Sequence, residues 1–406
     1  MMNNIEKIIK EQSKRHLSFY IYDENTIIDS LKTLKNDFPS VEFLYSAKTN
    51  PFPSVVKCVV ENGLGIDAAS LNEVLMGEKE GLAKEKIYYS APGKTRYDIL
   101  GAIEKSIIIA DSLNELKVLN DAAKETGRKA KIGIRINPDF TFDSENGAGG
   151  KFGIDQDILF ANKSWIKALP YVEFCGIHVH SRSQELDYII LEKYYDNMFK
   201  LAKRVQEEFD VKLSFINMGG GIGVEYNEND TPLQTKQLGE KLTQLIADFK
   251  QKLDGVKVII ETGRFAVGKS GTYVTTVIDK KVSYGKNYVI LNNTLNGFIR
   301  PSLAMLVESY VQGTPKANEP LYTKPNSFKF KVLGKEEGEM ETVTLCGNLC
   351  TGTDVVAKDI LLPKIEIGDV LTMSNAGSYA AVLSPMQFAS LTPPAQIFLT
   401  KDGLIK

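Results

Sequence analysis

The chain has 406 residues, 43% hydrophobic and 25% charged, with a formal net charge of −2. At roughly 150 residues per domain this supports two or three domains, or a long barrel with an addition. The near-neutral balance offers no cationic surface for nucleic acid or anionic membrane. The opening MMNNIEKIIKEQSKRH lacks the apolar core of a signal peptide, and no later run is long enough to span a bilayer, so cytoplasmic residence is expected.

Residues 1–26 are expected to form an N-terminal segment packing against the second domain. From residue 27 to about 265, helical patterns alternate with short β-rich runs. The helix pattern ENTIIDSLKTLKNDF precedes the strand VEFLYSA; a helix over 55–62, the strand GLGIDAA and a helix over 71–82 follow. KIYYSAP and SIIIADS each precede a further helix, the second opening with Ser112 and Glu115 at capping-box spacing. KIGIRINP, VEFCGIHVH, LSFINMGGG and VKVIIETG bring the candidate strands to eight. Strands interleaved with helices imply right-handed βαβ units and a parallel sheet. Eight of them predict a (β/α)₈ TIM barrel over 27–268, with a doubly wound open sheet as the rival.

After about residue 270 the texture changes. GTYVTTVIDKKV, NYVILN, SFKFKVLG, METVTLCG and DVLTMSNAG are β-rich and separated by turn signals, so 269–406 reads as an all-β domain, sandwich or barrel. GTPKANEPLYTKPNS, residues 313–327, reads as an exposed loop. Cys58 and Cys175 lie in apolar patterns and read as small buried hydrophobes. Cys346 and Cys350 have no histidine nearby, and with three histidines in the chain no metal site is expected.

In such a barrel the active site collects at the C-terminal ends of the strands. Those ends carry Lys48 after strand one, Asp67 after two, Arg135 after five and His178, His180, Ser181 and Ser183 after six. Gly219, Gly220 and Gly221 end strand seven, and Glu261 and Arg264 end strand eight. Each alone has an ordinary reading: a loop of glycines, a satisfied core histidine, a surface ion pair, a solvated lysine. Together on one rim they describe a different object. A lysine amine kept in a pocket, bare backbone amides for a phosphate, a flat ring to stack and a carboxylate make a site for pyridoxal 5′-phosphate.

The motifs then resemble those of the fold-type III pyridoxal-phosphate decarboxylases, which include diaminopimelate, ornithine and arginine decarboxylases. YSAKTN resembles their YAxKAN, GIDAAS their GxDVAS, HVHSRSQ their HxHxGSQ, INMGGGIG their glycine phosphate loop and ETGR their EPGR. LCGNLCTGTD is similar to GPxCES, and NAGSY to NxGAY. The resemblance covers nearly the whole chain and implies a cytoplasmic, PLP-dependent carboxy-lyase acting on an amino acid or its derivative. By the same mapping Lys48 carries the cofactor, His180 stacks on its ring and Glu261 pairs with the ring nitrogen. Ser183, Gly219–Gly221, Arg264 and Tyr379 hold the phosphate, while Asp67 and Arg135 are second-line contacts. A head-to-tail homodimer is implied, Cys350 and Tyr379 of one subunit completing the other's site, with Cys350 returning a proton to the substrate. Arg300 in NGFIRP is similar to an arginine that meets a substrate carboxylate in the diaminopimelate enzymes, although the tyrosine expected after it is Ala304. Thr351 stands where the diaminopimelate and ornithine enzymes carry an acid that binds a distal ammonium. Cys-Thr looks more like the branch acting on siderophore precursors or on amino acids tethered to a carrier protein. Arg182 replaces a glycine and brings a cation to the rim. An amino-acid racemase or a non-catalytic PLP-binding protein are the remaining alternatives; Glu261 speaks against the first and the second domain against the other.

Overall fold

A computed structural model describes residues 4–227, 229–313, 319–323, 327–335 and 338–406. The first strand, β1 (Ser18–Asp23), lies outside the barrel. The barrel begins with β2 (Val41–Ser46), β3 (Gly65–Ala68), β4 (Ile87–Tyr89), β5 (Ile107–Ala110) and β6 (Ala130–Asn137). A two-residue β7 (Ile154–Asp155) pairs with the outer end of β6. β8 (Val172–His178), β9 (Phe215–Asn217) and β10 (Lys257–Thr262) complete the set. Every pairing among the eight barrel strands is parallel. β5 with β6 and β10 with β2 close the ring, so the strands form a closed barrel and not an open sheet.

Glycine is required where the interior fills. Leu44, Tyr88, Ile107, Ile109, Cys175, Phe215 and Ile259 form one buried cluster. A Cβ on Gly176 would stand 2.2 Å from the Phe215 ring, so this strand can pass only without a side chain. Phe215 also meets Tyr88 edge-on at 5.1 Å. This apolar plug leaves the polar strand ends as the floor of a site.

Outside the ring, helices bury one stripe each. In Glu24–Asp37 the buried positions are Ile27, Leu31 and Leu34, spaced by helical turns, and Asp23 caps the helix by accepting from the Thr26 N–H at 3.1 Å. Ser112 caps Leu113–Thr126 by accepting from the Glu115 N–H at 3.1 Å. The reciprocal bond of a capping box does not form: the Glu115 carboxylate accepts from the Asp111 N–H at 3.3 Å and pairs with buried Lys94 at 2.6 Å.

The second domain is a mixed sheet of β11 (Gly271–Ser283), β12 (Lys286–Leu291), β13 (Phe330–Val332), β14 (Met340–Gly347), β15 (Val355–Pro363), β16 (Val370–Met373) and β17 (Ala395–Leu399). Its order is β13-β16-β11-β12-β14-β15, and β1 joins it antiparallel to β11 and parallel to β17. Ile9 of the first helix (Asn4–Gln12) packs with Phe19, Ile21, Val274, Ile397 and Leu399. A helix over Ile299–Tyr310, for which the β-rich sequence pattern gives no expectation, separates β12 from β13. The loop over 313–327 needs correction where it is described: Tyr322, Thr323 and Ser327 are buried, not exposed. Among the described residues no helix is long and apolar enough to cross a membrane.

Candidate active site

Register lines up the polar strand ends. Ser46 is opposite Asp67, Arg135 opposite His178, and His178 opposite Asn217. Lys48 sits one turn beyond β2, in the short helix Ala47–Thr49, with its side chain 42% accessible. Its Nζ lies 3.2 Å from Oδ2 of Asp67, a fully buried carboxylate that also accepts from Ser46 Oγ at 2.9 Å and Ser90 Oγ at 2.5 Å. Burial pulls the Lys48 pKa down, but the Asp67 carboxylate and then Glu261 outweigh it and hold the ammonium above the ordinary lysine range.

Glu261 at the end of β10 is almost fully buried. Its Oε1 accepts from Asn217 Nδ2 at 2.9 Å; His178 Nε2 stands 3.1 Å away without the alignment of a hydrogen bond. Burial alone would raise its pKa, yet the His178 ring and the Lys48 ammonium keep it below the usual carboxylate range. Glu261 is therefore an anion at neutral pH. His180 behaves oppositely: burial pushes its imidazole down to about 3 against the pull of Glu261. Its Nδ1 accepts from the Gly220 N–H at 3.0 Å, which makes the ring neutral with the proton on Nε2. The result is a flat, uncharged face beside a fixed carboxylate.

The glycine loop is partly spoken for. Gly219 adopts φ +66°, and a Cβ there would lie 2.4 Å from the Val179 carbonyl oxygen, so only glycine fits. The amides of Gly219 and Gly220 already donate, to Asn217 Oδ1 and His180. The expectation of three bare amides is thus corrected: those of Gly221 and Ile222 are the ones without an acceptor among the described residues. The loop carrying Ser183 is tied to this one by Glu185 N–H to Gly221 O at 2.8 Å and Gly223 N–H to Glu185 O at 3.0 Å.

Beyond the loop stands buried Arg264. Nη1 donates to Tyr226 Oη at 2.7 Å, and the guanidinium lies 5.1 Å from the Tyr379 ring centroid. The Tyr379 N–H donates to Thr49 O at 2.9 Å. Tyr379 therefore stands beside its own chain's lysine, which corrects the expectation that a partner subunit delivers it. Arg135 meets Asp111 at 3.6 Å and lies over the Phe152 ring at 4.3 Å. Arg300 is fully buried and shares Glu319 with Arg264. Arg182 is no free cation on the rim, because it pairs with both Asp143 and Glu185. Cys350 and Thr351 are not drawn into this cluster: they lie on the turn between β14 and β15, with Cys350 exposed. Buried Asp354 shapes that turn by accepting from the Leu295 and Leu349 N–H groups at 3.0 Å each and from Thr294.

Three participants escape sequence reasoning, while His178 is placed on the rim without a role. Asn217 was legible as a polar residue at a strand end. Tyr226 and Glu319 lie in loops and carry no pattern.

A closed parallel barrel with a lysine and a buried glutamate on its C-terminal rim, followed by a sheet domain, defines a class of pyridoxal-phosphate enzyme. The family model for the pyridoxal-dependent decarboxylases, pyridoxal binding domain, matches residues 24–268, and the chain belongs to that family. It is 29% identical to the L-glutamyl-[BtrI acyl-carrier protein] decarboxylase of Niallia circulans, across 95% of this chain and 89% of that protein. It is 28% identical to the 2-[(L-alanin-3-ylcarbamoyl)methyl]-2-hydroxybutanedioate decarboxylase of Staphylococcus aureus, across 98% and 99%. The crystal structure of diaminopimelate decarboxylase from Helicobacter pylori complexed with L-lysine superposes with a TM-score of 0.82 at 26% identity, covering 98% of this chain and 95% of that one. The chain is accordingly a PLP-dependent carboxy-lyase acting on a small-molecule amino-acid substrate. Its residues fit the cofactor: an amine for the aldehyde, a buried carboxylate, a neutral ring, unpaired backbone amides on the glycine loop and a buried arginine after β10.

Proposed function

We propose that this chain removes the α-carboxylate of an amino-acid derivative, in a site completed by a second copy of itself. Pyridoxal phosphate, when bound, supplies the electron sink into which the Cα–carboxylate bond breaks. Lys48 is the amine that carries it, positioned by Asp67. Since that ammonium is held protonated, Nζ must lose a proton before it can attack an aldehyde. Glu261, oriented by Asn217 and His178, keeps a proton on the pyridine nitrogen and so keeps the sink strong. His180 covers one ring face without adding charge. Ser183, the Gly219–Gly221 loop, Arg264 and Tyr379 would hold the phosphate, with Asp67 and Arg135 as second-line contacts. Cys350 of a partner subunit returns a proton to Cα, its exposure on the β14–β15 turn suiting that role. Thr351 beside it is neutral and forms no ion pair with a distal ammonium.

The observation that carries this reading is the buried Glu261 carboxylate, held by Asn217 on the same rim as Lys48. A racemase needs a weaker sink, which an ionised carboxylate at the pyridine nitrogen does not give. Thr351 favours substrates whose far end is not a free ammonium, as in a siderophore precursor or an amino acid on a carrier protein. The Niallia circulans relative is named for a glutamyl group on an acyl-carrier protein, and the Staphylococcus aureus relative for an alanine joined through its side chain to a hydroxybutanedioate. The decisive experiment is CO₂ release from meso-diaminopimelate, lysine, ornithine, and acylated or carrier-bound amino acids. Borohydride trapping of the cofactor runs in parallel. The reading predicts an adduct on Lys48 and turnover of a capped substrate; no adduct and no CO₂ from any of them would end it.

A further inference from the structure

Arg264 and Arg300 converge on one carboxylate. Glu319 Oε2 lies 2.6 Å from Arg264 Nη2 and 3.3 Å from Arg300 Nη2. Both arginine side chains are buried, Arg300 completely, and the Glu319 side chain is 9% accessible. Arg300 has one further acceptor, the Ser378 carbonyl oxygen at 3.4 Å. Both guanidiniums lie 5.6 Å from the Tyr226 ring centroid, and Arg264 also faces Tyr379. Two cations facing one acceptor would make a receptor for a substrate carboxylate, planar and bidentate. Here the chain supplies the carboxylate itself.

The balance of charge decides what remains for a ligand. Two guanidiniums and one carboxylate leave a single positive charge, and burial of an uncompensated charge is expensive. Two nitrogens of the pair, Arg264 Nε and Arg300 Nε, make no hydrogen bond among the described residues, while Arg264 Nη2 faces the Glu319 carboxylate. A phosphate monoester carries about −1.5 to −2 at neutral pH. Once such a group takes Arg264, as the proposed function assigns, the cluster is net negative. No positive charge is then left for an anion on the substrate.

We infer that Glu319 is a specificity residue: it occupies Arg300, the guanidinium that the phosphate on Arg264 leaves over, so that the substrate's far end is uncharged there. This rests on the proposed function and narrows it to substrates whose distal carboxyl is capped, as an amide or thioester. Together with Thr351, it excludes free diaminopimelate from the preferred substrates.

The test uses an isosteric pair, L-2-aminopimelate and its 7-amide, which differ only in the distal charge. Binding to the cofactor-loaded protein is followed by calorimetry and by the cofactor's absorbance change, so no turnover is required. The wild type should bind the amide at least about tenfold more tightly than the acid, since the acid meets an occupied receptor. Glu319→Gln should erase or reverse that ratio by freeing Arg300, the guanidinium that the phosphate does not take. Equal or tighter binding of the acid by the wild type overturns the inference, as does an unchanged ratio in the variant. If Glu319→Gln fails to fold, the wild-type ratio alone decides. A protein that loads no cofactor refutes the proposed function instead, which keeps the two failures apart.

Discussion

The lysine cluster and the arginine cluster share one rim of the barrel but are assembled differently. Lys48, Asp67, Glu261, His178 and Asn217 come from the ends of neighbouring parallel strands, and the ladder register already sets them side by side. Their carboxylates are saturated by hydroxyls and amides of the same scaffold. The arginine cluster draws Arg264 from the end of the barrel, Arg300 from the helix of the second domain, and Glu319, Tyr226 and Tyr379 from loops. It retains unpaired guanidinium nitrogens, as the lysine cluster retains the two ring nitrogens of His178. A rigid strand-built cluster suits chemistry that every substrate needs. A loop-built one suits the choice among substrates, because loops change without disturbing the barrel.

Substitutions in each cluster can break that contrast. Lys48→Ala should lower CO₂ release by on the order of 10³-fold or more, the scale of removing a covalent catalyst, and abolish the borohydride-trapped adduct. An adduct on another residue would misplace the centre. Glu261→Gln should cost roughly 10²-fold in kcat, a loss comparable with deleting one preorganised electrostatic contact, with cofactor affinity little changed. A loss confined to cofactor binding would make Glu261 a mere anchor. Cys350→Ala should slow turnover by about tenfold or scramble the proton at Cα, a range at or below that of general acid catalysis. Mixing it with Lys48→Ala should restore part of the activity if the sites are shared; no restoration argues for self-contained subunits.

Smaller effects probe how the rim is held. The His180 pKa is depressed to about 3 by burial, so the unfolded chain takes up that proton first as pH falls from 6.5. Stability should therefore decline between about pH 6.5 and 3, because the unfolded state binds more protons there. Urea midpoints for His180→Gln should show a shallower slope in that window, and an identical slope would assign the loss to other groups. Arg182→Ala should cost roughly 1–3 kcal/mol, little of it from exposed Asp143 and most from leaving the buried Glu185 carboxylate without its cation. A large shift in KM from that variant would return Arg182 to the substrate's path.

The difference between the clusters also explains what could be read in advance. The eight strand patterns end on the residues that form the lysine cluster, because the barrel fold puts every strand's C-terminal end on one face. The same logic misses Glu319, whose loop reads as polar and exposed until two guanidiniums are seen to bury it. It misassigns Tyr379, whose place beside its own chain's Thr49 depends on how the second domain meets the barrel. It overstates the glycines as well, since Asn217 and His180 take two of the three amides.

Alternation of apolar runs with helix patterns, and the polar residues at each run's end, determined the barrel and the chemistry of its rim from the sequence alone. Those signals are local, with each strand announcing its own length and terminus. Which acid neutralises which base was decided only in three dimensions. The partners of Arg264, Arg300 and Tyr379 come from distant parts of the chain, and no periodicity encodes a contact made by loops folding back across a domain boundary.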